Sequence, residues 1–175
     1  MNRTIIVYGL FSGFIITGLM FTTMPLWKSG TLDFQLGELI GYSSMIVSLS
    51  LVFFGVRSYR DNYTDGFISF GKACKVGILI ATVASVVYVI GWEIYYQSTG
   101  NEFMDQYATY YIEQMEADGA TSEEIESQKL DMVELREMNK NPFFRFGITL
   151  SEIFPVGILI ALLSAAILKK PKPIS

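Results

Sequence analysis

The sequence contains no histidine and a single cysteine. A disulfide framework is thereby excluded, as is a zinc site of the common His/Cys kind. Nucleophile pairs that need an imidazole, Ser–His or Cys–His, fall with the same count. Charge is scarce as well: Asp, Glu, Lys and Arg supply 17% of the residues, against about 25% in an ordinary soluble domain. The few basic residues form no stripe interleaved with exposed aromatics, so nucleic acid is not an expected partner. The expectation is a non-enzyme with no metal and no cofactor.

What is present is apolar. Hydrophobic residues make up 51% of the 175 positions, and the mean hydropathy is +0.38. That balance suits a bilayer rather than water, in a chain long enough for one unit only. Ile5 to Leu26 carries no charge over 22 residues, enough to cross a ~30 Å hydrocarbon core at ~1.5 Å per residue. Arg3 before it would also suit a cleaved signal peptide. The run is too long for one, and Phe21-Thr22-Thr23-Met24 offers no small-residue cleavage site, so a retained helix is expected. Leu39–Val56, Val76–Trp92 and Ile153–Leu168 are further uncharged runs. Each reaches full length when flanking polar side chains snorkel to the interface. The expected fold is all-α, a four-helix transmembrane bundle in a single membrane domain, with spans at about 5–26, 37–56, 73–95 and 147–168.

With four spans, Arg3, Arg57, Arg60, Lys72, Lys75, Lys169, Lys170 and Lys172 share one side, offset only by Asp61 and Asp65. The other side carries Lys28, Lys129, Arg136, Lys140 and Arg145 against fifteen acids. The basic side is expected to be cytoplasmic, with both termini there. Trp27, Trp92, Tyr95 and Tyr96 on the outer side, with Tyr59 and Tyr63 on the inner, fit headgroup-level aromatic belts.

The outer segment, 97–142, reads as an acidic extracytoplasmic helical hairpin inserted between spans 3 and 4. Met104, Ala108, Tyr111 and Met115 make one apolar stripe. Asp118-Gly119 breaks it, and Thr121 with Glu124 has the spacing of a capping box. Ile125, Met132, Leu135 and Met138 line a second helix, which Asn141-Pro142 ends.

Small residues at four-residue spacing mark expected helix–helix contacts, because close backbone approach replaces the hydrophobic drive in lipid. They are Gly9 and Gly13 with Thr17, Gly37 and Gly41, Gly77 and Ala81 between Ala73 and Ser85, and Gly157 and Ala161 before Ala165. Pro155 is expected as a tolerated proline in the first turns of span 4, where it removes the bond to the Ser151 carbonyl. Cys74, between two lysines, reads as a small apolar filler.

One constellation is a candidate site. Glu38, Glu93 and Glu152 each flank a span on the outer side, at similar heights above the cytoplasmic basic residues. Glu38 and Glu152 lie near helix starts, where unpaired N–H groups favour a carboxylate. Glu93 lies at a helix exit and needs another partner, for which Arg145 is the candidate. The bland reading is a set of interfacial helix ends. The sharper one is an ion or proton site formed by two or three of the carboxylates.

Two blocks carry a resemblance. Gly66-Phe67-Ile68-Ser69-Phe70-Gly71-Lys72-Ala73-Cys74-Lys75-Val76-Gly77 enters span 3, and Asn141-Pro142-Phe143-Phe144 with Glu152-Ile153-Phe154-Pro155-Val156-Gly157 enters span 4. Together they resemble domain-of-unknown-function family 4199, small bacterial membrane proteins with four spans. The resemblance covers nearly the whole chain and implies a bacterial inner-membrane location, and it supplies no activity. From the residues alone, Phe67, Ile68 and Phe70 could lie as an amphipathic stretch in the cytoplasmic interface, with Lys72 and Lys75 meeting anionic headgroups.

The functional expectation is an accessory or structural protein that presents its hairpin to another protein. A small transporter or channel using the carboxylate layer is the alternative. Expected partners are membrane lipid, a protein on the extracytoplasmic side and a second copy of the chain.

Overall fold

The computed structural model describes residues 2–172, less the side chains at positions 2, 28 and 101. It is all-helical among those residues, in six segments: α1 (Asn2–Lys28), α2 (Phe34–Leu49), α3 (Leu51–Tyr63), α4 (Phe70–Ala117), α5 (Ser122–Asn139) and α6 (Pro142–Leu168). Four stretches are long and apolar enough to cross a membrane: Arg3–Trp27, Phe34–Tyr63, Phe70–Gly100 and Pro142–Leu168.

α4 is the central strut, packing along both α1 and α6. Glycines set how closely. A Cβ on Gly9 would stand 2.6 Å from Val83 Cβ, and one on Gly13 the same distance from Val87 Cβ. Gly77 faces Ala161, and Gly157 faces Ala81, with Cβ separations that would be 2.9 and 2.8 Å. These faces are dovetailed, so dispersion contact holds them where lipid offers no hydrophobic drive.

The second span is one apolar stretch but two helices. Ser12 Oγ, buried on α1, donates to the carbonyl of Ser48 at 2.7 Å. Beyond that acceptor the helix tightens, and Phe53 N donates to Ser50 O three residues back. A carbonyl drawn to a neighbouring helix loosens the local ladder, which accounts for the break at Ser50.

α4 departs from expectation in the opposite sense, running unbroken for 48 residues through the polar Gln97–Asn101 stretch. Ser98 and Thr99 hydroxyls both donate to the Tyr95 carbonyl, so they are satisfied within the helix. Gly100 is a close-approach residue rather than a breaker: the Tyr96 ring lies where its Cβ would be, at 2.4 Å. The first helix of the expected hairpin is therefore a continuation of the third span. α5 then folds back, tied to α4 by Arg136 and Asp105 at 2.8 Å. Thr121 and Glu124 form the reciprocal capping box at its start, and Asn141 Oδ1 caps α6 by accepting from Phe143 N at 2.9 Å.

At the termini end a latch closes the bundle. Ile68 and Lys170 exchange backbone hydrogen bonds of 2.9 and 2.8 Å, and Arg60 donates to the Leu168 carbonyl. The turn before α4 is made by Asp65 and Gly66, both at positive φ, and Ser69 caps the helix. Ile68 is buried by this bridge, so the Phe67–Phe70 stretch does not lie as a free amphipathic segment. Pro155 also differs from expectation. α6 begins at Pro142, which puts Pro155 in the helix interior rather than in its first turns, and the helix continues to Leu168. Cys74 is half-buried against the core.

Candidate functional site

The four outer polar residues separate into two groups. Arg145 is buried, and its guanidinium grips Glu93 with two prongs, Nε to Oε2 at 2.9 Å and Nη2 to Oε1. Its remaining nitrogen, Nη1, donates to the carbonyl of Asn139, where α5 ends. The same guanidinium stacks on Tyr96 at 4.4 Å from the ring centre. One arginine thus joins α4, the end of α5 and the start of α6. A planar fork that satisfies two carboxylate oxygens and a carbonyl suits arginine and would not suit lysine.

Glu38 and Glu152 take no part in that pair. Both border a cavity of about 370 Å³ at the hairpin end of the bundle, reached by side chains from every helix except α3. Tyr111 Oη donates to Glu38 Oε1 at 3.1 Å. The Tyr111 phenol is held well above its ordinary range by its hydrogen bond to Tyr107, then by burial and the nearby Glu38 carboxylate. It therefore stays a donor. Glu152 is exposed to the cavity and has no hydrogen bond or ion pair to another described residue. Among the described residues no three acidic groups converge as a metal site would require, so the layer of three carboxylates does not form one centre.

Aromatic rings wall this end. Trp27 packs on Phe34 at 5.0 Å, Trp92 meets Phe103 edge-on at 5.2 Å, and Phe34 stacks on Tyr110 at 4.8 Å. The expected belt residues Trp27 and Trp92 are half-buried and turned into the protein, because the α4 extension lays its own aromatics over them. Tyr59 at the other end is buried too, stacked on Tyr63 at 5.4 Å.

The small-residue stripes divide in the same way. Gly9, Gly13, Gly77, Ala81, Gly157 and Ala161 lie in the helix contacts already described. Gly37 meets a side chain of α1 rather than a closely approaching backbone, and Gly41, expected in a helix contact, makes none. The Trp27 indole lies directly on Gly37, where a Cβ would be 1.5 Å from Nε1, and a Cβ on Gly41 would meet nothing within 4 Å. α2 touches α4 and α6 only sparsely, so its glycines make room for a ring and for the cavity. No single-sequence pattern separates a glycine that admits a helix from one that admits a ring. The cavity residues Tyr42, Tyr88 and Thr149 likewise carried no local signal.

Four apolar helices, a dovetailed bundle and a helical extension beyond it define an all-helical membrane protein. The chain belongs to the family described as Protein of unknown function (DUF4199), which it matches over residues 7–170. No curated protein and no solved structure matches it.

Proposed function

We propose that this protein is a non-catalytic accessory component of the bacterial inner membrane, with both termini cytoplasmic, that presents its acidic hairpin to another protein outside. The observation that carries the reading is the unbroken α4. A helix that leaves the bundle without a hinge holds α5 at a fixed distance and angle, as a presented surface needs. The displayed face has the chemistry of a docking surface. Leu130 and Val133, three residues apart on α5, are 64% and 61% exposed. Residues 97–142 carry eleven acids and three bases. An apolar stripe rimmed by acids suits a partner with an apolar stripe rimmed by Lys and Arg, the acids steering the encounter.

Transport is the second reading, and the cavity is what favours it. Against it stands the termini half of the bundle, filled by buried apolar side chains such as Leu49, Val52, Val56 and Ile80. The cavity is a dead end in this conformation.

A photo-crosslinking amino acid at Val133, activated in native membranes, tests the docking reading. A discrete adduct with one other protein, lost in the Leu130→Glu background and weakened by salt, is the expected result. Adducts only with lipid or with a second copy of the chain would overturn it. A lipid-facing position on α1, Phe14, provides the background pattern.

A further inference from the structure

The cavity is not needed for hairpin presentation, and its chemistry points to a ligand. Its volume, about 370 Å³, lies within the range of small-molecule sites, roughly 300–1,000 Å³. Its walls combine aromatic faces with two carboxylates, Glu38 and Glu152, and among the described residues no lysine or arginine borders it. Arg145, two turns before Glu152 on α6, is already consumed by Glu93 and the Asn139 carbonyl. A carboxylate at membrane depth without a cationic partner is unfavourable, so a positive guest would be stabilised there.

The kind of positive guest follows from what surrounds the charge. A divalent metal ion calls for about six oxygen ligands, and the described residues bring no third carboxylate to this place. Aromatic faces, in contrast, attract organic ammonium groups and tolerate their apolar substituents. Trp27, Tyr88 and Trp92 supply those faces beside the carboxylates. We propose that the cavity between α1, α2, α4, α5 and α6 is a binding site for an organic ammonium on an apolar body, with Glu38 and Glu152 as its counter-ions. A free amphiphilic amine and the ammonium headgroup of a membrane lipid share that chemistry.

The chain has two tryptophans, Trp27 and Trp92, and both border the cavity. Intrinsic fluorescence therefore reports directly on occupancy. The full-length protein is placed in nanodiscs of phosphatidylglycerol and titrated with benzyltriethylammonium at about 0.3 M salt, where surface attraction is screened to a few ångströms. Saturable quenching is expected. Glu152→Gln and Glu38→Gln should each raise the dissociation constant about tenfold or more, a loss of one charge contact of ~1.4 kcal/mol. Glu116→Gln, on the exposed end of α4, should leave it unchanged. The titration is repeated with half of the lipid replaced by phosphatidylethanolamine. A several-fold weaker apparent affinity assigns the site to a lipid headgroup, and an unchanged one assigns it to a free amine. The Gln variants keep the shape of the side chains, and circular dichroism checks that each is folded. Quenching that never saturates, or that is the same in wild type and both cavity variants, overturns the proposal.

Discussion

The two ends of this bundle use the same residue types to opposite effect. At the termini end, glycine and alanine bring helices into contact, apolar side chains such as Val52 and Ile80 fill the core, and a backbone bridge from Ile68 to Lys170 locks the loop to the end of α6. At the hairpin end, Gly37 holds an indole and Gly41 borders open space. There the helices are joined by polar and aromatic groups instead, chiefly Arg145 with Glu93 and Tyr96. A small-residue stripe thus specifies room, and what fills the room depends on how the neighbouring helix stands.

If the hairpin end hangs on one arginine, Arg145→Ala should have the largest effect. It strands a partly buried carboxylate and frees three elements at once. The expected loss is about 3 kcal/mol, the low end for a broken buried pair because Glu93 keeps 27% of its side chain exposed. Arg145→Lys should recover only part of it, since an ammonium cannot reproduce the fork. Reversible unfolding in mixed micelles measures both. Equal stability of Arg145→Ala and wild type would remove the arginine from its joining role.

The next contrast pits two glycines against each other. Gly13→Ala places a Cβ 2.6 Å from Val87 Cβ and 3.0 Å from the Ala84 carbonyl, where backbone must move. Overpacking of this kind costs about 2 kcal/mol. Gly41→Ala meets nothing, and the removal of a helical glycine stabilises by roughly 0.5 kcal/mol or more. Opposite signs for one chemical change would establish that the two ends are built differently. Matching losses would mean that α2 packs like the other spans.

Much of this was legible in sequence where the cause is local. Four uncharged runs gave four spans because length and hydropathy suffice for that inference. Thr121 with Glu124 announced the capping box because both partners lie within one turn. The continuity of α4 was hidden: in sequence the hairpin segment begins apart from span 3 at residue 97, and only the structure shows one helix passing through, with the Tyr96 ring lying on Gly100. The break at Ser50 was hidden for the converse reason, since its cause is the bond to the Ser48 carbonyl from a serine 36 positions before it, on α1. Glu93 was separable in sequence, because it stands at a helix exit where Arg145 was the expected partner; that Glu38 and Glu152 border one cavity needed the tertiary structure. The cavity itself has no local signature, because it exists through the stance of α2 against α4 and α6.

The smallest effect should fall on α5, the element least tied to the bundle. Thr121→Ala removes the hydroxyl that accepts from Glu124 N, at a cost of about 1 kcal/mol to the helix. The loss should appear as faster amide exchange in the first turns of α5, with the unfolding midpoint of the bundle almost unmoved. Acid should act on the same place. The Glu124 carboxyl is held below its ordinary value by the backbone N–H and then the hydroxyl of Thr121. A group whose folded pKa is depressed stabilises the fold fully above its unfolded value, near 4.3, and loses that contribution as pH falls through the folded one. Exchange protection at the start of α5 should therefore be flat above about pH 5 and decline in more acidic solution. Glu124→Gln should remove that decline without touching protection in α4 or α6. A decline that persists in Glu124→Gln would trace to other carboxylates of the hairpin. A bundle that melts earlier in Thr121→Ala would show that α5 is load-sharing with the spans, and the contrast between the two ends would have to be drawn at α5 rather than at Arg145.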